Sequence, residues 1–316
     1  MKIKNLVIKN KLFLAPMSNV TTLPFRLLCK KYGAGVVYSE MINADAFIMD
    51  SKKTLKRSFF IEEERPIGIQ ISGSDKKNLV LASKKIEIEL KPDILDINIG
   101  CPAYNVMKTG SGAKLLNDIN KLGDLVKSIS ESLNIPFTCK IRITTDENYN
   151  VSIAKTIEKS GANAITVHGR TANQKYSGKA NWDIVKKIKN EVKIPIILNG
   201  DIIDEKSAKN ALGSTGCDAL MIGRASVGDP YLFNRINYFL KNEKYLPDLS
   251  KKEKIIIFFE FLELAKKHDC LYITNIKMHA QHFTKSIVGS TVIRKQISES
   301  KNIEDIELIM KNFINN

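Results

Sequence analysis

The chain has 316 residues, of which 43% are hydrophobic and 26% are charged. This composition excludes a disordered chain, because apolar residues are frequent and spread along the whole length. The most apolar stretch, Ile255–Phe259, is far shorter than the roughly 20 residues of a membrane-spanning helix, so we expect no membrane contact. Lys4, Lys9 and Lys11 interrupt any signal-peptide core, and we expect a cytoplasmic protein.

Lysine and arginine number 49 against 34 aspartate and glutamate, which gives a formal net charge of +15. An excess of this size favours a polyanionic partner such as a nucleic acid. From composition alone, the alternative is that the lysines only cover solvated helix faces. The five cysteines form no C-x-x-C pair, so the sequence predicts neither a disulfide framework nor a metal site.

Short β-branched runs recur along the first two thirds of the chain, and a helical pattern follows each of them. The predicted strands are Leu12–Ala15, Gly35–Tyr38, Ile67–Ile71, Ile94–Asn98, Phe137–Ile141, Ala164–His168, Ile194–Leu198 and Ala219–Ile222. The predicted helices are Phe25–Tyr32, Lys76–Leu90, Ile119–Ser132, Ser152–Ser160, Trp182–Val192 and Glu205–Leu212. Eight such units predict an α/β fold, a closed (β/α)8 TIM barrel. A doubly wound open sheet is disfavoured because no strand is followed by a G-x-G-x-x-G turn.

The pattern changes near the C-terminus. Residues 241–250 are polar and contain the last proline, which is typical of a linker. The proline-free remainder predicts four helices, Lys251–His268, Tyr272–Ser286, Val292–Ser298 and Ile303–Asn312. Ser250 and Glu253 form a capping box at the first of them. We therefore expect a barrel domain over residues 1–245 and a small all-helical domain over residues 246–316.

The predicted strands end in polar residues, which packing alone does not explain because burying a polar group without a partner is costly. In a barrel of this class, functional residues collect at these carboxyl ends. Gly200, Gly223 and Arg224 follow the last two strands, where a phosphate commonly binds to backbone amides and a helix N-terminus. The alternative is that both glycines only form tight turns.

Three further residues at the barrel mouth suit a flavin. Lys140 interrupts an apolar strand, and Gln70 and Asn98 offer amide groups to the edge of a heterocycle. A cation, planar hydrogen-bonding groups and a phosphate site together match flavin mononucleotide, FMN. The alternatives are an ion pair between Lys140 and Asp96, or a Schiff-base amine.

Two other residues at the mouth are candidates for proton chemistry. Cys101 lies in a Gly-Cys-Pro loop, and its thiol could donate a proton or attack as a nucleophile; the alternative is an inert packing cysteine. Cys139 precedes Lys140, so alternation turns it towards the helices. His168 could bind a phosphate or a substrate oxygen, and a structural role is the alternative.

Taken in order, these motifs resemble the tRNA-dihydrouridine synthases, most closely the bacterial B-type branch. The matching segments are LAPM with TxxPFR (Leu14–Met17, Thr22, Pro24–Arg26), SEM (Ser39–Met41), GIQISG (Gly68–Gly73), DINIGCP (Asp96–Pro102), KIR (Lys140–Arg142), TVHGRT (Thr166–Thr171), NGD (Asn199–Asp201) and IGR (Ile222–Arg224). The helical tail also resembles the RNA-binding domain of that family, at Lys277, His279, Phe283, Arg294 and Lys295.

The resemblance implies an FMN enzyme that uses NADPH to reduce the C5–C6 bond of particular uridines in tRNA. Matched positions imply FMN contacts from Pro16, Met17, Ser18, Gln70, Lys140, His168, Asn199, Gly200, Asp201, Gly223 and Arg224. They imply substrate contacts from Asn98, Arg142, Arg170, Lys277, His279, Arg294 and Lys295. Cys101 is implied as the general acid that protonates C5 after reduced FMN delivers hydride from N5 to C6.

Segment Tyr104–Gly112, just past Cys101, has small and polar residues, and we expect it to close over the bound base. We also expect a monomer whose partners are tRNA and NADPH. Three other functions compete with this one: a small-molecule FMN dehydrogenase of the dihydroorotate type, a Schiff-base aldolase that uses Lys140, and a non-catalytic RNA-binding protein.

Overall fold

The structure, a computed structural model, describes residues 1–285 and 287–315. Two short antiparallel strands, β1 (Lys2–Ile3) and β2 (Leu6–Val7), form an N-terminal hairpin. The remaining strands belong to one parallel sheet and are β3 (Leu12–Leu14), β4 (Val37–Tyr38), β5 (Ile42–Asn43), β6 (Ile67–Ser72), β7 (Ile94–Ile99), β8 (Phe137–Arg142), β9 (Ala164–His168), β10 (Ile196–Asn199) and β11 (Ala219–Ile222).

The parallel sheet is a barrel. The order of its strands is β3-β11-β10-β9-β8-β7-β6-β4, and β5 pairs separately with β6. A parallel bridge between Phe13 and Val36 joins the two ends of this order and completes a ring of eight strands among the described residues. The predicted (β/α)8 barrel is therefore confirmed.

Helices connect the strands on the outside of the ring. They are α1 (Leu23–Lys31), α2 (Ala44–Ile48), α3 (Lys52–Ser58), α4 (Lys76–Glu89), α5 (Tyr104–Lys108), α6 (Ile119–Glu131), α7 (Glu147–Lys159), α8 (Trp182–Glu191), α9 (Glu205–Thr215) and α10 (Leu232–Asn242). An Asp or Asn side chain caps most of the longer helices by accepting a hydrogen bond from a first-turn backbone amide. The capping residues of α4, α6, α7, α8 and α9 are Asp75, Asp118, Asp146, Asn181 and Asp204.

The core has two parts because alternate side chains of each strand point to opposite faces. One cluster fills the space between the strands and the helices, and Cys139 belongs to it as predicted. The other lies inside the ring and includes Phe13, Tyr38 and Met221. Ile3 and Ile8, at the N-terminal hairpin, pack against this inner cluster.

The C-terminal part is helical, as predicted. Its helices are α11 (Lys251–Lys267), α12 (Ile273–Phe283), α13 (Ser290–Glu299) and α14 (Ile303–Asn315). The capping box of Ser250 and Glu253 is present at α11. The predicted second helix ended at Ser286, which lies outside the described residues. Among the described residues, no helix has both the length and the apolar character needed to cross a membrane.

The helical tail packs directly on the barrel. Helices α1 and α11 face each other, and Lys31 forms an ion pair of 2.7 Å with Glu260. The amide of Asn275 on α12 donates to the backbone oxygen of Asn19, at a distance of 2.7 Å. Buried residues of α11 and α12 continue the outer core cluster of the barrel. The tail is therefore held by shared apolar core as well as by polar contacts.

Candidate active site

Polar residues from the ends of four adjacent strands, β8 to β11, meet at the barrel mouth. The Lys140 ammonium donates to the Asn199 side-chain oxygen at 3.1 Å, and the Asn199 amide donates to the Met221 backbone oxygen at 2.8 Å. Burial lowers the pKa of Lys140, and the nearby Asp96 carboxylate opposes that shift. Lys140 forms no ion pair with Asp96 in the described structure, since its hydrogen bond goes to Asn199. The alternative prediction, an ion pair between Lys140 and Asp96, is therefore not observed.

His168 lies next to this lysine at the end of β9. Burial lowers the pKa of His168 to about 2, and the positive charges of Lys140, Arg142, Arg170 and Arg224 add to the shift. The imidazole is therefore neutral at pH 7. Four positively charged side chains thus surround a buried neutral histidine. An anionic ligand such as a phosphate would stabilise this arrangement.

The loops after β10 and β11 bring glycines to the mouth. Gly200 has φ +117°, and a Cβ atom there would lie 2.9 Å from the Ala180 Cβ and 3.0 Å from His168 Cδ2. Gly223 lies beside Met17, so the loops after β11 and β3 meet. Only a glycine fits at position 200, because a side chain would collide with these two neighbours.

The side chain of Asp201, a predicted FMN contact, is paired within the protein. Its carboxylate accepts from the Arg170 guanidinium at 2.7 Å and from the Ala180 backbone amide at 2.7 Å. The contact of Asp201 with FMN stays a prediction.

A row of hydrogen bonds joins the neighbouring strands β8, β7 and β6 inside the barrel and leads to the loop after β7. The Thr138 hydroxyl donates to one Asp96 oxygen at 2.6 Å, and the Gln70 amide donates to the other at 2.7 Å. The Asn98 amide donates to the Gln70 oxygen at 2.9 Å. Burial raises the pKa of Asp96, while the bonds from Gln70 and Thr138 act in the opposite direction.

The row ends at Cys101. The Asn98 side-chain oxygen accepts from the backbone amides of Cys101 at 2.8 Å and Gly100 at 3.1 Å. The Ala113 amide donates to the Cys101 backbone oxygen at 3.1 Å. The thiol itself is partly exposed at the mouth. Asn98 therefore anchors the cysteine loop, a role that the predicted substrate contact did not include.

Arg142 and Arg170 were predicted to contact substrate, but both are buried and hold the loop after β9. Arg142 donates to the backbone oxygens of Thr171 and Lys175, both at 2.9 Å. Arg170 donates to the backbone oxygens of residues 177 and 178 and to Asp201. These hydrogen bonds shape residues 171–181, and the substrate contacts of Arg142 and Arg170 stay predictions.

This loop carries an aromatic residue that the sequence reasoning missed. The ring of Tyr176 is 58% exposed and lies 4.6 Å from the Arg224 guanidinium and 5.8 Å from that of Arg142. The sequence signal that could have identified Tyr176 is an aromatic residue between two lysines, Lys175 and Lys179. An aromatic ring can stack on a nucleic acid base while the lysines contact its phosphates.

In the tail, His279 is fully buried, with its ring 4.8 Å from Phe25 and 4.3 Å from Phe261. The predicted contact of His279 with substrate is wrong in this structure, because the side chain fills the junction between barrel and tail. Lys277 donates to the Ser298 backbone oxygen at 3.0 Å. The other two predicted tail contacts, Arg294 on α13 and the exposed Lys295, stay predictions.

The expected closing segment has a defined shape here. Residues Tyr104–Lys108 form α5, and the Ser74 hydroxyl donates to the Thr109 backbone oxygen at 2.6 Å. Tyr104 is exposed at the start of the helix. Closure of this segment over a base stays a prediction.

Known proteins with similar sequences over most of this chain are tRNA-dihydrouridine synthases. The tRNA-dihydrouridine synthase B of Pseudomonas syringae pv. tomato is 36% identical over 306 residues, which are 95% of this chain and 89% of that protein. The tRNA-dihydrouridine synthase B of Vibrio vulnificus is 40% identical over 255 residues, 80% of this chain and 79% of that protein. A probable tRNA-dihydrouridine synthase of Rickettsia conorii is 38% identical over 81% of this chain and 78% of that protein.

Solved structures share the fold at low identity. Histamine dehydrogenase from Rhizobium sp. 4-9 matches with a TM-score of 0.57 and 14% identity, over 84% of this chain and 50% of that chain. A 2-naphthoyl-CoA reductase matches with a TM-score of 0.58 and 13% identity, over 76% of this chain and 51% of that chain. The family model described as "Dihydrouridine synthase (Dus)" matches residues 13–315. The chain therefore belongs to the dihydrouridine synthase family.

Proposed function

We propose that this protein is an FMN-dependent tRNA-dihydrouridine synthase that reduces the C5–C6 bond of particular uridines, with NADPH as the electron donor. The observation that carries the proposal is the placement of Cys101 at the same barrel mouth as the cationic set around Lys140 and His168. In this proposal residues 1–245 hold FMN and perform the reaction, and residues 246–316 contact tRNA. The protein acts as a monomer in the cytoplasm.

The residues present fit FMN. Gly200 and Gly223 would present backbone amides to the phosphate, and Arg224, exposed at the start of a short 3-10 helix, would add a positive charge. Lys140 and Asn199 would hold the polar edge of the ring, while Pro16, Met17 and Ser18 line the adjoining loop. When bound, FMN supplies the two-electron reductant for the uracil and is restored by NADPH.

Cys101 would provide the proton. Reduction at C6 develops negative charge towards C5 and O4 of the uracil, and a neutral thiol held at the mouth can donate its proton to C5. The Cys101 backbone amide donates to the Asn98 oxygen, and the Cys101 backbone oxygen accepts from the Ala113 amide, so the thiol reaches the base from a set position. Because the side chain is partly exposed, solvent can return the proton after each turnover.

The target uridine must leave its stack to enter the mouth. We expect Tyr176 and the nearby arginines to meet the flipped nucleotide or its neighbours. Residues 246–316 contain eleven lysines and arginines against nine aspartates and glutamates, so nearly all of the net charge lies on the barrel. The barrel surface should therefore contribute most of the salt-dependent attraction to tRNA.

The test compares two partly exposed cysteines. Cys101→Ala should retain FMN, seen by its absorbance, and should reduce tRNA about 10²- to 10⁴-fold more slowly, the usual contribution of a general acid. Cys270→Ala is the matched control, since Cys270 lies in the tail, away from the mouth. Full activity of Cys101→Ala would exclude the proposed acid.

A further inference from the structure

The hydrogen bonds between Asp96 and Cys101 have a fixed direction. Backbone N–H groups can only donate, so the Asn98 oxygen must face the amides of Gly100 and Cys101. The Asn98 amide group then points to Gln70, and it can only meet the Gln70 oxygen. The Gln70 amide group is thereby turned to the Asp96 carboxylate.

The far end of the row is equally fixed. Both Asp96 oxygens are used, one by Gln70 and one by the Thr138 hydroxyl, and the oxygen that faces the Gln70 amide must accept because an amide N–H can only donate. Asp96 and Gln70 are each 1% exposed, so water does not replace these bonds. Two side-chain amides are therefore oriented between an Asp96 oxygen that accepts and backbone groups that only donate.

From this row we propose that Asp96 is a positioning residue, which orients Gln70 and Asn98 and through them holds the backbone of Cys101. The role of this positioning in proton transfer to a uridine rests on the proposed function. The hydrogen bonds that fix the cysteine loop do not depend on that function. Asp96 lies on β7 inside the barrel and acts only through its neighbours.

The substitution Asp96→Leu tests this orientation, because leucine has a similar shape and no acceptor. The Gln70 amide group then faces an apolar side chain and is no longer held in one orientation. If Gln70 turns over, its amide group meets the Asn98 amide group, donor against donor. Turning Asn98 over then presents an amide group to the backbone N–H of Cys101, and the loop loses its anchor.

The substitution Asp96→Asn is the conservative variant and should keep the row. The asparagine oxygen accepts from Gln70, and its amide group donates to the Thr138 hydroxyl, which can accept as well as donate. The links from Gln70 through Asn98 to Cys101 are then retained.

The readout is the rate at which iodoacetamide alkylates Cys101 in the full-length protein, measured by peptide mass spectrometry with excess FMN in every sample. Asp96→Leu should raise this rate about fivefold, the effect of losing one net hydrogen bond. Asp96→Asn should stay within about twofold of the wild-type rate. Thr138→Val is the matched control, because it removes a donor to Asp96 but leaves the links to Cys101 intact.

Cys270 in the same digest reports general unfolding, and its rate should stay unchanged. A wild-type Cys101 rate in Asp96→Leu, or a rate in Asp96→Asn as high as that in Asp96→Leu, would overturn the proposal. If Asp96→Leu does not fold, Gln70→Met also interrupts the row and should raise the Cys101 rate in the same way; an unchanged rate there overturns it too. Should these rates behave as expected while the wild type fails to reduce tRNA, the proposed function fails and the positioning role stands.

Discussion

His279 offers a test of how the tail joins the barrel. Its ring lies between Phe25 and Phe261 and is fully buried. Burial lowers the pKa of His279 to about 3. The substitution His279→Leu keeps an apolar side chain at the junction and removes the group that titrates.

The magnitude follows from proton linkage. A histidine in the unfolded chain has a pKa near 6.5, so below that pH the unfolded chain binds a proton that the folded protein, with a His279 pKa of about 3, does not. The free energy of unfolding therefore falls as the pH falls, by about 1.4 kcal/mol per pH unit in this range. Between pH 7.5 and pH 5 this group should cost the wild type about 2 kcal/mol.

The assay is urea unfolding followed by circular dichroism at pH 7.5 and pH 5. His279→Leu should lose about 2 kcal/mol less than the wild type between the two values. His168 titrates with the same sign, but it is present in both proteins and cancels. Ile276→Val, at a neighbouring buried position, should cost about 1 kcal/mol at both pH values. Parallel losses in wild type and His279→Leu would refute the buried junction and favour an exposed, RNA-facing histidine.

Three further substitutions test the mouth and the tail. Lys140→Met should weaken FMN binding at least about tenfold in a fluorescence titration, since it removes a charged hydrogen-bond donor; unchanged affinity and unchanged reduction by NADPH would exclude the ring-edge role. Gly200→Ala should lower FMN content because a Cβ does not fit there, whereas Gly213→Ala, with open space around it, should leave FMN content unchanged. Asn275→Ala should cost about 1 kcal/mol in the free energy of unfolding through loss of the bond to Asn19, and an equal loss in the exposed neighbour Thr274→Ala would contradict that reason.

The barrel was predictable because its strands are short apolar runs with polar ends. Two predicted strands, Ala164–His168 and Ala219–Ile222, agree with the structure at both bounds, and the others differ by one or two residues at their ends. The N-terminal hairpin was not predicted, since strands of two residues have no periodicity to detect. Helix α10 (Leu232–Asn242) was missed because no predicted strand follows it.

The positions of the site residues were predictable, but the directions in which their side chains point were less so. Sequence order places Arg142, Arg170 and Asp201 at strand ends, and the structure confirms that placement. Sequence order does not reveal that Arg142 and Arg170 bind the loop after β9 or that Arg170 pairs with Asp201, because these partners are distant in the chain. For the same reason the burial of His279 depends on Phe25, which is distant in the chain.

The most direct test of the proposed activity is mass spectrometry of unmodified tRNA after incubation with the purified protein, FMN and NADPH. We predict a gain of two hydrogen atoms at discrete uridines, with NADPH consumed in proportion and the gain about 10²- to 10⁴-fold slower in Cys101→Ala. Oxidation of NADPH without any change in the mass of the tRNA nucleosides would contradict it.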